Sequence, residues 1–151
     1  MILLDTNVLV VSFNVDAGGH RVCRAVVDAA LARRIPGALV PQVLLEAYAV
    51  LTDARRLKTP LAPERAWAEV DTLAHSMTVV YPQRAVFDEL QGIVRSRQPT
   101  GQDIFDVFIV AQMRASGISA ICTLDTKDFS GYEGISVETP QTTLGRFGLS
   151  A

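Results

Sequence analysis

The chain opens MILLDTN, an apolar run from Ile2 to Leu4 that stops at Asp5, with Thr6 and Asn7 behind it. Consecutive large aliphatic residues without polar alternation suit a short strand covered on both faces, and the β-branched Val8 and Val10 add to that signal. A carboxylate at the end of such a strand is costly. An ionised group withdrawn from water loses several kcal/mol, roughly, unless it is paired or bound to a cation. In open α/β sheets, ligands gather just outside the carboxyl ends of the strands. Asp5 is therefore the first candidate functional group, and the remainder of the chain is constrained by whether other carboxylates reach the same edge.

The pattern that follows alternates short apolar runs with helical periodicity. NVDAGG, Asn14 to Gly19, reads as a loop. A helix is expected over 20–34, with Val22, Val26, Ala29 and Ala30 on one side and Arg21, Arg24 and Asp28 on the other. Pro36 and Gly37 stop it. Residues 38–40 form a strand, and Pro41 opens a helix over 42–56 with Leu44, Leu45, Tyr48 and Leu51 as its stripe. A helix over 64–76, a strand over 78–81 and a helix over 83–97 follow, the last ended by Pro99 and Gly101. Residues 102–116 are helical and closed by Gly117, and strands are expected over 119–123 and 135–137. Strands alternating with helices imply parallel pairing in a layered α/β fold. The 151 residues, 49% of them apolar, supply core material for a single domain over 1–151.

Composition narrows the function classes. The net charge is −2, so there is no global basic signature for passive nucleic-acid binding. Residues 101–151 carry six acids (Asp103, Asp106, Asp125, Asp128, Glu133, Glu138) against Arg114, Lys127 and Arg146, and the bases gather earlier, at Arg33, Arg34, Arg55, Arg56 and Lys58. Cys23 and Cys122 are too far apart in sequence to suggest a metal pair and read as reduced core residues. No secretory signal and no run long enough to span a bilayer are recognisable, so a cytoplasmic location without membrane attachment is expected.

Each carboxylate has a structural use to be weighed against a functional one. Asp125, in CTLDTKDF just past the strand SAICT, would serve as a turn or cap residue if it stood alone. At the same sheet edge as Asp5 it becomes a second candidate. Asp103, three residues after Thr100, has capping-box spacing and gains from the positive helix end. Asp106 lies between Phe105 and VFIV, in a stretch apolar enough to be buried on most sides, with no base nearer than Arg114. It therefore calls for another partner, such as a bound ion. Glu46 interrupts VLLEAYAVL, but Gln42 and Asp53 could share a solvent face with it. Two carboxylates about 4 Å apart repel by roughly 4 kcal/mol at an effective dielectric of 20. A cluster therefore takes up protons or binds a cation, and oxygen-only ligands favour Mg²⁺ or Mn²⁺. Such a cation lowers the pKa of an attacking water and neutralises charge on phosphate oxygens, the chemistry of phosphodiester hydrolysis.

Four motifs in order, MILLDTNVLV, PQVLLEAYAVLT, GQDIFDVFIVAQMRASGI and ICTLDTKDF, resemble those of PIN-domain endoribonucleases of the VapC toxin type, over nearly the whole chain. The resemblance implies a three-layer PIN-like fold with a mostly parallel central sheet flanked by helices. By motif position it implies Asp5, Glu46, Asp106 and Asp125 as catalytic and metal-binding acids. Mg²⁺, or Mn²⁺, would be the cofactor and RNA the substrate, with 5′-phosphate and 3′-hydroxyl products. It selects Asp106 over Asp103 by the distance to Gly117, includes Thr6, Asn7 and Thr123 as expected polar neighbours, and leaves Asp128 structural with Phe129 in the core. It further implies a VapB-like antitoxin partner and a homodimer. Arg21, Arg24, Arg55, Arg56, Arg95 and Arg97 are candidates for RNA phosphate or antitoxin contact, or ordinary solvated residues. A haloacid dehalogenase-like phosphatase would also use a strand-end aspartate, Asp5, as nucleophile, but Asn7 stands where that class carries a second Asp. A non-catalytic PIN-like binding module is the remaining alternative.

Overall fold

The computed structural model describes residues 1–151. The elements run β1 (Ile2–Leu4), α1 (Thr6–Phe13), α2 (His20–Leu31), β2 (Gly37–Leu39), α3 (Pro41–Leu51), α4 (Pro63–Ser76), β3 (Thr78–Val79), α5 (Ala85–Arg97), α6 (Asp103–Ala115), β4 (Ala120–Cys122), β5 (Ser136–Glu138) and α7 (Pro140–Arg146). The five strands form one sheet in the order β3-β2-β1-β4-β5, and every pairing is parallel. β1 is central and all three of its residues are buried, as its unbroken apolar run requires. Helices flank the sheet, and the core gathers from strands and helices alike, with Leu3, Leu39, Val43, Ile109 and Ile121 wholly or almost wholly buried.

Chain order and strand order diverge at one place. From β1 the chain builds outward through β2 to β3, then crosses back so that β4 lies on the other side of β1. The crevice outside the carboxyl ends of β1 and β4 is the topological switch point, where ligands of open α/β sheets bind. Register fixes it closely: Leu4 lies opposite Cys122, and the Asp5 N–H donates to the Cys122 carbonyl at 3.0 Å.

Three elements depart from the sequence expectation. Val8, Val10 and Val11 are in helix α1, not in an extended segment. Their β-branching weakens helix propensity by only tenths of a kcal/mol, roughly. Burial of Val8, Leu9 and Val10 as α1 packs on α2 and α3 outweighs it. Helix α7 was not anticipated; Thr139 caps it by accepting from the Thr142 N–H, and Pro140 occupies its first turn. The third helix ends at Leu51, short of residue 56, because Asp53 folds back to accept from the Arg55 N–H and guanidinium. Gly117 adopts φ +67° after α6, as expected of a helix-terminating glycine.

Candidate active site

Asp5 is the N-cap of α1: it remains extended, and its Oδ1 accepts from the Thr6 N–H at 2.7 Å. Its other oxygen accepts from the Thr123 hydroxyl at 2.6 Å. The Asp5 residue is 7% exposed. Burial pushes its carboxyl above the ordinary value, the Thr123 and Thr6 hydrogen bonds oppose that, and Glu46 and Asp128 add repulsion.

Thr123, fully buried at the end of β4, organises the edge. Besides donating to Asp5, its hydroxyl oxygen accepts from Asn7 Nδ2 and from the Asp125 N–H, each at 3.0 Å. Asn7 Oδ1 accepts from the Leu124 N–H at 3.0 Å. The loop carrying Asp125 is thereby fastened to the first turn of α1. A comparable chain holds Glu46: its oxygens accept from the Thr6 hydroxyl at 2.8 Å and from Gln42 Nε2 at 2.7 Å. Gln42 Nε2 also donates to the Phe105 carbonyl at 3.1 Å, tying α3 to α6.

Asp5, Glu46, Asp106 and Asp125 all line one cavity of about 720 Å³, together with Asp103 and Asp128. The four acids expected from the sequence are thus brought to one cleft. Glu46 does not lie on a solvent face shared with Asp53, which sits beyond the end of α3. Helix α6 is buried over most of its length, from Val107 to Met113, but Asp106 lies in its first turn, which opens to the cleft, and is only half buried; Phe105 beside it is 54% exposed. The expected Thr100–Asp103 capping box does not form, since Gln102 is the N-cap of α6 and no side chain caps it.

Asp106 accepts no hydrogen bond from the protein, and its carboxyl is pushed up to about 6 by burial first and then by Asp128, Asp5, Glu46 and Asp103. Asp128 is likewise raised, by partial burial and by Asp125 and Asp103, with Lys127 opposing. Phe129 is buried as expected, but the reading of Asp128 as merely structural missed its place in the cleft. Its spacing of three from Asp125 was the available signal. Gln42 and the buried Gln112, by contrast, carried no signal: glutamine on a helix reads as surface until the partner helix is known.

The donor set is made of carboxylate oxygens, with no histidine, which fits a hard divalent cation. As the side chains stand, no group of three or more His, Cys, Asp or Glu side chains is positioned to hold a metal ion. Asp5 and Glu46 are held by neighbouring donors, while Asp103, Asp125 and Asp128 are exposed and free to stand apart.

Fold and cleft together define a parallel α/β protein with its acids collected at the switch point of the sheet. Comparison narrows this class. The family model for the PIN domain matches residues 2–134, and the chain belongs to that family. Similar solved structures include a toxin–antitoxin complex from Klebsiella pneumoniae, 18% identical over 93% of this chain and 98% of that one, with a TM-score of 0.62. VapC20 of Mycobacterium tuberculosis, described as a sarcin-ricin loop cleaving toxin, is 18% identical over 89% of this chain and 98% of that one, with a TM-score of 0.64. PAE2754 from Pyrobaculum aerophilum is 18% identical over 97% of this chain and 88% of that one, with a TM-score of 0.65. At that identity the likeness is one of fold. No curated protein matches the sequence. Membership of the PIN-domain family leaves the phosphatase alternative without support.

Proposed function

We propose that this protein is a divalent-metal-dependent endoribonuclease and the toxin of a toxin–antitoxin pair. The observation that carries the reading is the convergence of Asp5, Glu46, Asp106 and Asp125 on one cleft of a PIN-domain fold, with Asp106 left unpartnered and pushed up to about 6. That is an electrostatic deficit that a bound cation would relieve. Asp5, Asp106, Asp125 and Glu46 would hold Mg²⁺ or Mn²⁺, which when bound supplies charge neutralisation for the phosphate and acidifies the attacking water.

The chain's own residues divide the remaining work. Thr123 and the Thr6 N–H fix the direction of the Asp5 carboxyl and oppose the rise that burial imposes on it. Thr6 and Gln42 fix Glu46 from both sides. Asn7 and Thr123 hold the Leu124 and Asp125 N–H groups, so the exposed Asp125 side chain stands on a fixed base. Asp106 projects from the first helical turn of α6 into the cleft. No side chain is required as a nucleophile.

The test is cleavage of single-stranded RNA in Mg²⁺ or Mn²⁺ by purified wild type and Asp5→Asn, with mapping of the new ends. Cleavage by the wild type alone, leaving 5′-phosphates, is expected. An Asp5→Asn variant that cuts at the wild-type rate would refute the assignment. The Klebsiella toxin–antitoxin complex and VapC20 support the toxin reading and an antitoxin partner of VapB type. Homodimer formation is carried by the family resemblance and is checked by light scattering of the purified chain.

A further inference from the structure

Six carboxylates line the cleft, and Arg56 is the one basic side chain among them. A nucleic-acid strand entering it meets repulsion everywhere else until a cation is bound. Arg56 is exposed and forms no ion pair and no side-chain hydrogen bond, whereas its neighbour Arg55 is bound to Asp53. The backbone beneath Arg56 is fixed, because its N–H donates to the Asp53 carbonyl at 3.0 Å.

Phe105 lines the same cleft and is 54% exposed. It neither joins the core nor pairs with another aromatic ring, unlike Phe108, which packs on Phe87. Its position is nevertheless rigid: the Phe105 carbonyl accepts from Gln42, and its N–H donates to the Gln102 carbonyl at 3.0 Å. An uncommitted ring on a pinned backbone and an uncommitted guanidinium, in one acid-lined cleft, match a chain that alternates anionic and π-surfaced groups. Unpaired nucleotides present both.

We propose that Phe105 stacks the base of an unpaired nucleotide while Arg56 takes a backbone phosphate of the same strand, so that these two side chains position single-stranded RNA against the acids. This rests on the nuclease reading above for the identity of the strand. Both are positioning residues, and both are exposed enough that replacing them leaves the fold intact.

The experiment measures anisotropy of a fluorescein-labelled single-stranded RNA and of the matching duplex, titrated with Asp5→Asn protein over a series of salt concentrations. Adding Phe105→Ala is expected to weaken single-strand binding by roughly 5- to 150-fold, the range for losing one base–aromatic stack. Duplex binding should be unchanged. Phe105→Trp should restore binding and Phe105→Leu should not, which separates stacking from mere space filling. Adding Arg56→Gln should lower the slope of log Kd against log salt by about 0.7, one phosphate contact on a single strand. Equal binding by the Phe105 variants, rescue by leucine, an unchanged salt slope, or no RNA binding by the Asp5→Asn parent would each overturn the proposal. Wild-type protein incubated with the same RNA separates the two readings. Cleavage with unaltered Phe105 and Arg56 variants defeats this inference alone. Absence of cleavage in any divalent metal, with the predicted binding changes present, defeats the nuclease reading alone.

Discussion

Replacing Asp106 with asparagine should stabilise the metal-free protein at neutral pH, although Asp106 belongs to the proposed machinery. Its carboxyl lies at about 6 against an ordinary 3.8. At about 1.36 kcal/mol per pH unit, that difference sets an upper bound of about 3 kcal/mol on the penalty for holding the charge in the folded state. The group is only half buried, so solvent screening reduces the penalty to about 1.5 kcal/mol. The charge also lies in the first turn of α6, where the helix end favours it by about 0.5 kcal/mol. Asparagine forfeits that gain, and the net expectation is about 1 kcal/mol, or a rise in Tm of about 2–4 °C for a chain of this size. The sign follows from the direction of the change. A raised carboxyl contributes stability that is complete below 3.8, where both states are protonated, and is lost as the pH rises through about 6. Wild type and Asp106→Asn should therefore melt together near pH 3.5 and separate between pH 4 and 7, in EDTA throughout. Thermal unfolding followed by circular dichroism measures this. A variant that melts at or below wild type at pH 7.5, or a gap that persists at pH 3.5, would refute the reasoning. Added Mn²⁺ should narrow the gap by stabilising wild type more than the variant.

Thr123→Val keeps the shape of the side chain and removes the hydroxyl that serves Asp5, Asn7 and the Asp125 N–H. The loss should be about 1.5–3 kcal/mol in urea unfolding, the range for a hydrogen bond to a charged group, together with reduced RNA cleavage. Unchanged stability would show that the hub is not tight. Gly37→Ala should destabilise by about 1–3 kcal/mol, because a Cβ there would lie 2.7 Å from Met77 Cε and 2.9 Å from Ala30 Cβ. The Met77 tip can swing aside, whereas the Ala30 methyl moves only with α2, so a neutral urea midpoint would mean that α2 and β2 separate without penalty. Gln42→Leu should leave Glu46 and the Phe105 carbonyl each short of a donor, lowering cleavage with little change in Tm. Wild-type turnover by this variant would show that Glu46 needs no support from α3.

The strand-end aspartates were legible because they break a local rule. Asp5 interrupts an apolar strand, and Asp125 follows SAICT, where an open parallel sheet gathers ligands. The alternation of short apolar runs and helical periodicity gave the parallel α/β class, and the observed sheet is parallel throughout. Glu46 was not legible from spacing alone, since Gln42 and Asp53 offered it an equally good solvent face. The motif resemblance placed it in the site. Helix α1 was missed because β-branched propensity is a weak local term that packing on two helices overrides.

By itself, then, the sequence determined the layered fold, the two strand ends and, through its motif order, which four acids to watch. Tertiary structure alone decided that β4 lies beside β1, so that Thr123 reaches Asp5 and Asn7 across more than a hundred residues. It also decided that Asp128, Arg56 and Phe105 open onto the same cleft, and that Gln42 connects α3 to α6. The physical reason is range. Burial periodicity and propensity act within a few residues and leave their mark on the chain, whereas hydrogen bonds and repulsion between side chains depend on distances that exist only once the sheet has set its strand order.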